Sequence, residues 1–169
     1  MAAQSTKRLV VVSNRLPYVL EKQNGEKWTL KPGSGGLVTA LLPVLRDRGG
    51  VWIGWPGVTD EVRNLREVLR EAARGTGYAF EPVVLSRDEI DKYYHGYSNE
   101  SIWPLFHDLQ SLCKFDPAYW PAYVAVNAKF AQVLAANCHP EDFIWIHDYQ
   151  LMDVARHARQ ADCRADLAF

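Results

Sequence analysis

Four short polar clusters in this chain could do chemistry, and each adjoins an element able to hold it still. Asn14-Arg15 follows the apolar run Val10-Val11-Val12 after a single serine, Ser13. An arginine fixed at a strand end suits phosphate, because the guanidinium fork meets two phosphate oxygens at once; it equally suits a surface ion pair with a carboxylate. Gly33-Ser34-Gly35-Gly36 precedes a run with helical spacing. Unpaired backbone N–H groups at a helix start attract phosphate, and the plainer reading is a tight turn. His147-Asp148 follows a second apolar run. The carboxylate either accepts hydrogen bonds from sugar hydroxyls or caps a helix beginning at Tyr149, and His147 reads as a base or as a satisfied structural histidine. The fourth cluster, "DKYYHGYSNESIWPLFH", mixes Tyr93, Tyr94, Tyr97 and Trp103 with Ser98, Asn99 and His107. That is the composition of a polar pocket wall with aromatic faces, or of an aromatic cluster beneath a loop. Trp52 and Trp55, on either side of Gly54, face opposite ways along a strand, so one belongs to the core and the other to a pocket wall.

Other chemistries lack their residues. There is no His/Glu metal spacing, no CxxC, no Ser-His-Asp candidate, and Gly33, Gly35 and Val38 break the GxGxxG fingerprint of dinucleotide sites. The formal net charge of −1, without a basic run, gives no electrostatic footprint for nucleic acid. No stretch is apolar and long enough to span a bilayer, and "MAAQSTKR" lacks a hydrophobic signal core. The three cysteines are odd in number and read as reduced thiols, so the expected compartment is the cytoplasm.

The elements that must position these clusters can be read from patterning. "RLVVVS" (8–13), "VWIGW" (51–55), "YAFEPVVL" (78–85), "DFIWIHD" (142–148) and "RADLAF" (164–169) are strands, the first of them continuously apolar as in a strand buried on both faces. Asn24-Gly25 between two short arms (19–30) predicts a hairpin. Helices are expected at 37–48, shortened or kinked by Pro43, and at 60–74, with Val62, Leu65, Val68, Leu69 and Ala72 on one face and Gly75 as terminator. Further helices follow: from a Ser86/Glu89 capping box to Tyr94, from Asp116-Pro117 to Asn137, and over 149–160. Strands alternating with helices predict an α/β fold, a Rossmann-like, mainly parallel sheet with an inserted β-hairpin. With 169 residues the chain makes one domain, 1–169, and its last apolar strand has no covering helix after it, which leaves an expected central strand exposed and apolar surface open to association as a homo-oligomer.

Taken in order, "RLVVVSNRLP", "GSGGLVTAL", "VWIGWPG", "YYHGYSNESIWPLFH" and "IWIHDYQLM" resemble the trehalose-6-phosphate synthase family from about residue 8 onward. These are retaining glycosyltransferases that move glucose from UDP-glucose to glucose 6-phosphate, and they have the GT-B architecture, two Rossmann-like domains facing across a cleft. The resemblance implies the amino-terminal, acceptor-side domain. It implies Arg15 at the acceptor phosphate or reacting centre, hence catalytic as well as binding. Tyr94 and Trp103 would line the glucose 6-phosphate pocket, Asp148 would hold the acceptor sugar, and Trp55 is a further pocket candidate. Gly35 and Gly36 would lie against the diphosphate and glucose of the donor. No metal is implied; UDP-glucose is a co-substrate, and small-molecule sugar phosphate and nucleotide sugar are the partners.

Two departures follow. The family's HDYHL reads His147-Asp148-Tyr149-Gln150-Leu151 here, so a proton-transfer role at Gln150 is ruled out while hydrogen bonding is kept. The family's HIPFP-like segment, with its active-site histidine, and the Arg/Lys pair that neutralises leaving UDP lie beyond these residues, so residues 1–169 alone are expected to be catalytically incomplete. Alternatives are a related synthase with another acceptor (glycerol 3-phosphate or a pseudo-sugar), a non-catalytic sugar-phosphate sensor, and a generic nucleotide-binding domain.

Overall fold

The continuous apolarity of the first strand has a direct structural cause: it lies at the centre of a sheet covered on both sides. In the computed structural model, which describes residues 7–23, 27–33, 35–59, 62 and 64–169, β1 (Leu9–Arg15) is flanked by β4 (Gly50–Trp55) and β6 (Phe143–Ile146). β5 (Tyr78–Pro82) and β7 (Asp166–Ala168) form the edges, in the order β5-β4-β1-β6-β7 with every pairing parallel. Val10 and Val12 point into one core, against α5 (Tyr119–Asn137) and α6 (Val154–Gln160). Leu9 and Val11 point into the other, against α1 (Gly36–Arg48) and α2 (Leu65–Ala72). The hairpin β2 (Tyr18–Gln23) and β3 (Lys27–Pro32) is a separate antiparallel pair, as expected; its Asn24-Gly25 turn lies outside the described residues, as do Ser34 of the glycine loop and Asp60 of the 60–74 helix.

Three elements depart from the sequence pattern. Helix α1 runs on through Pro43, because Leu41 and Leu45 on either side of it are buried against the sheet and that burial outweighs the lost backbone bond. The capping box at Ser86 and Glu89 is present and opens the short α3 (Arg87–Glu89), but the chain then continues well past Tyr94. It runs as a π-helical segment, Ile90–Ile102, into α4 (Trp103–Phe106). Glycine is required inside this segment: a Cβ on Gly96 would meet the Tyr119 ring at 2.6 Å, where α5 crosses. The helix expected over 149–160 is split into a 3-10 turn at Tyr149–Leu151 and α6 from Val154.

Candidate functional site

The carboxyl ends of the central strands carry the polar clusters, as open parallel sheets favour. A cavity of about 380 Å³ opens there, lined by Asn14, Arg15, Gly35, Tyr94, Asp148 and Gln150, with Trp52 and Ser13 in its wall. A larger groove of about 580 Å³ lies over the edge of β5. There Arg66 and Arg74 are paired with Glu81 and Glu71, so two of its arginines are already matched. The smaller cavity holds Arg15, which has no carboxylate partner among the described residues.

Arg15 is placed by a break in β1. The register against β4 shifts between Val12 and Arg15, where Ser13 Oγ donates to the Arg15 carbonyl (2.7 Å) and accepts from the Trp52 indole N–H (2.7 Å). The shift turns the guanidinium over the Trp55 ring, 4.1 Å from its centroid, and 5.8 Å from that of Tyr94. Two glycines make room for Arg15, Gly54 for its backbone and Gly57 for its guanidinium. A Cβ on Gly54 would meet the Leu16 nitrogen at 2.8 Å, and one on Gly57, whose φ is +84°, would meet Arg15 Nη1 at 2.7 Å. No carboxylate pairs with Arg15 among the described residues, so its charge is held by ring faces and left open to the cavity.

Around it stand the buried Asn14 and Gln150, the half-buried His147 and the exposed Asp148. Asn14 accepts from the Tyr93 hydroxyl (2.9 Å), whose pKa burial pushes far above its ordinary value. Gln150, 7% exposed, has an Oε1 with no partner, and so has His147 Nε2. Burial pushes the His147 pKa down, partly offset by Asp148. Asp148 has φ 79° and ψ 155°, a region nearly confined to glycine, and its carboxylate accepts from the Tyr149 N–H (2.9 Å). Asp148 therefore caps the turn, as one of its two readings expected, and it also borders the cavity.

Gly35 borders the cavity at the start of α1, with Gly36 as the first helical residue. A Cβ at either would touch nothing within 4 Å, so no neighbouring atom excludes a side chain at these positions. Trp55 is buried beneath Arg15, its indole donating to the Val58 carbonyl (2.8 Å), while Trp52 is the one in the cavity wall. Trp103 stands apart from the cavity, 40% exposed and stacked on His107 at 4.2 Å. Sequence reasoning passed over Ser13, Gly57, Tyr123 and Asn127. A lone asparagine in the apolar "YVAVNAKF" was the available signal for Asn127.

The model of glycosyltransferase family 20 matches residues 7–169. The chain belongs to glycosyltransferase family 20. Trehalose-6-phosphate synthase of Mycolicibacterium smegmatis is 42% identical over 154 residues, covering 91% of this chain and 29% of the relative. Among solved family 20 structures, a UDP-forming α,α-trehalose-phosphate synthase from Burkholderia vietnamiensis superposes with a TM-score of 0.77 at 33% identity, covering 96% of this chain and 32% of that one. Another from Burkholderia xenovorans, in complex with glucose 6-phosphate, gives 0.71 at 30% identity over 95% of this chain and 32% of that one. The chain thus spans about a third of the length of the relatives it matches. Among its described residues, no helix is long and apolar enough to cross a membrane, and no group of three His, Cys, Asp or Glu side chains could hold a metal.

Proposed function

We propose that residues 1–169 form the acceptor-binding half of a retaining glycosyltransferase that transfers glucose from UDP-glucose to glucose 6-phosphate, giving trehalose 6-phosphate and UDP. The observation that carries this reading is the unpaired Arg15 guanidinium at the mouth of a cavity shared with Tyr94, Asp148 and Gln150. A fixed, unmatched cation suits a phosphate dianion, and a carboxylate and an amide carbonyl accept hydrogen bonds from sugar hydroxyls.

In this reading Arg15 binds the acceptor phosphate and Asp148 the acceptor hydroxyls. The first amides of α1 face the donor diphosphate across Gly35 and Gly36, whose missing side chains leave that approach clear. Gln150 offers an acceptor that cannot take up a proton, so deprotonation of the attacking hydroxyl is assigned to the leaving diphosphate. Trp55 acts through Arg15 rather than on the ligand, and Trp103 meets the acceptor only if the α4 region moves inward. Charge stabilisation of UDP, the dominant contribution in such transfers, is assigned to a second domain, and the protein to the cytoplasm.

The test is titration of the chain with glucose 6-phosphate, followed by tryptophan fluorescence, with glycerol 3-phosphate and Arg15→Ala alongside. Saturable binding of glucose 6-phosphate, lost in the variant, is expected. Preference for glycerol 3-phosphate would reassign the acceptor.

A further inference from the structure

The turn that carries Asp148 is gripped from behind by two side chains of α5. The Tyr123 hydroxyl donates to the Tyr149 carbonyl (2.8 Å) and accepts from the Met152 N–H (3.1 Å). One helical turn on, the fully buried Asn127 donates to the Gln150 carbonyl (3.0 Å) and accepts from the Asp153 N–H (3.1 Å). Its amide nitrogen also donates to the Tyr123 backbone carbonyl (2.9 Å), which anchors the Asn127 side chain to its own helix. At i and i+4, Tyr123 and Asn127 lie on one face of the helix, and between them they occupy four backbone groups within 149–153.

Those are groups an α-helix would use internally. The sequence pattern from Tyr149 onward is helical, yet α6 begins only at Val154. With the Met152 and Asp153 amides drawn toward α5, the segment closes as a 3-10 turn instead. Asp148, at its head, is left with φ 79° and ψ 155°, a conformation that persists only when its surroundings over-determine it. Neither Tyr123 nor Asn127 borders the cavity that Asp148 and Gln150 line.

We propose that Tyr123 and Asn127 are positioning residues of the acceptor site: they hold the 149–153 turn open against its helical tendency and so fix Asp148 in the strained orientation that borders the cavity. The functional half of this inference rests on the acceptor-binding reading above; the conformational half does not.

The experiment uses the full-length protein that carries this chain. Tyr123→Phe keeps the ring in the core and removes only the hydroxyl. The expected result is an apparent KM for glucose 6-phosphate about tenfold higher, with kcat within about twofold and the KM for UDP-glucose unchanged. Asn127→Ala serves as an independent second variant with the same expectation. In an Asp148→Ala background, Tyr123→Phe should add less than about twofold, because its route to the ligand is gone. An unchanged KM in both single variants, or a further tenfold loss in that background, overturns the proposal. A ligand-free arm reads the same coupling: Asp148→Gly should raise the melting temperature by about 3 °C, and by clearly less in the Tyr123→Phe background. Equal shifts in both backgrounds overturn the clamp. Failure of the unaltered protein to bind glucose 6-phosphate would sink the acceptor reading alone, and the thermal arm would still decide the clamp.

Discussion

The two ends of the central sheet treat polar groups in opposite ways. At the amino ends of the strands, Arg8 makes a two-point contact with Asp142 (2.9 and 2.7 Å) and a third with the Asn137 carbonyl (2.7 Å). Asp142 also accepts from the His139 N–H (2.7 Å). Burial pushes the Asp142 carboxyl up, but Arg8 and the His139 amide outweigh it and hold it below its usual range. Arg8 and Asp142 are thus fully matched to each other and to the backbone beside them. At the carboxyl ends Arg15 has ring faces but no carboxylate, Gln150 Oε1 and His147 Nε2 have nothing, and Asp148 sits in a backbone region meant for glycine. Buried polar atoms are normally satisfied, so Gln150 Oε1 and His147 Nε2, unmatched on either side of Asp148 among the described residues, mark a place where another molecule completes the set. One end holds the fold together; the other is unfinished on its own.

That contrast can be broken by experiment. The largest effect is expected from Arg15→Ala, which should weaken glucose 6-phosphate binding about a hundredfold, some ~2.7 kcal/mol, while the melting curve hardly moves. A large thermal loss without a binding defect would mean that Arg15 belongs to the structural end. Asp142→Ala should do the reverse. It strands the Arg8 guanidinium and should cost about 2 kcal/mol in a urea titration, with acceptor affinity of the folded fraction intact. In the unaltered protein the same carboxylate makes stability pH-dependent. Because its pKa is lower folded than unfolded, its contribution is complete above the ordinary aspartate value near ~4 and fades as pH falls through the folded value, which an acid titration by circular dichroism would trace.

A smaller effect is expected of Gly57→Ala, whose new methyl meets Arg15 Nη1 and whose φ is unfavourable for alanine. Acceptor affinity should drop about tenfold, or ~1.4 kcal/mol, as isothermal titration would show. The smallest concerns Gln150→Met, which removes an unmatched carbonyl while keeping the volume. It should stabilise the fold by up to about 1 kcal/mol and yet lower glucosyl transfer, the signature of a group kept for a ligand rather than for packing.

The regular elements are the easier part to read. Alternating strands and helices, the apolar Val10–Val12 centre and the Ser86/Glu89 capping box all follow local rules, and each has its expected counterpart in the fold. At the unfinished end local rules lose to long-range contacts. Nothing in "DKYYHGYSNESI" distinguishes i+5 from i+4 bonding, because the choice depends on Tyr119 arriving from α5 at Gly96. The start of α6 is set by Tyr123 and Asn127, more than twenty residues upstream of the amides they hold. Opposite facing of Trp52 and Trp55 is visible in the sequence; which of them meets the cavity depends on the bulge in β1, and the bulge depends on Ser13.

The strand order also has a consequence for how the molecule comes into being. β1 is synthesised before the other strands of its sheet, yet its second neighbour is β6, and the Arg8–Asp142 contact joins residues 134 apart in sequence. Until the ribosome has delivered that distant segment, β1 has only β4 beside it, and one of its long edges offers unpaired amides and carbonyls between valine side chains. A nascent chain of this topology passes through a stage in which its stickiest strand is half-covered, and loop closure over such a separation is slow. Production should therefore be limited by that waiting time more than by final stability, and slower translation at lower temperature, or a chaperone that shields extended apolar segments, should raise the yield of folded material.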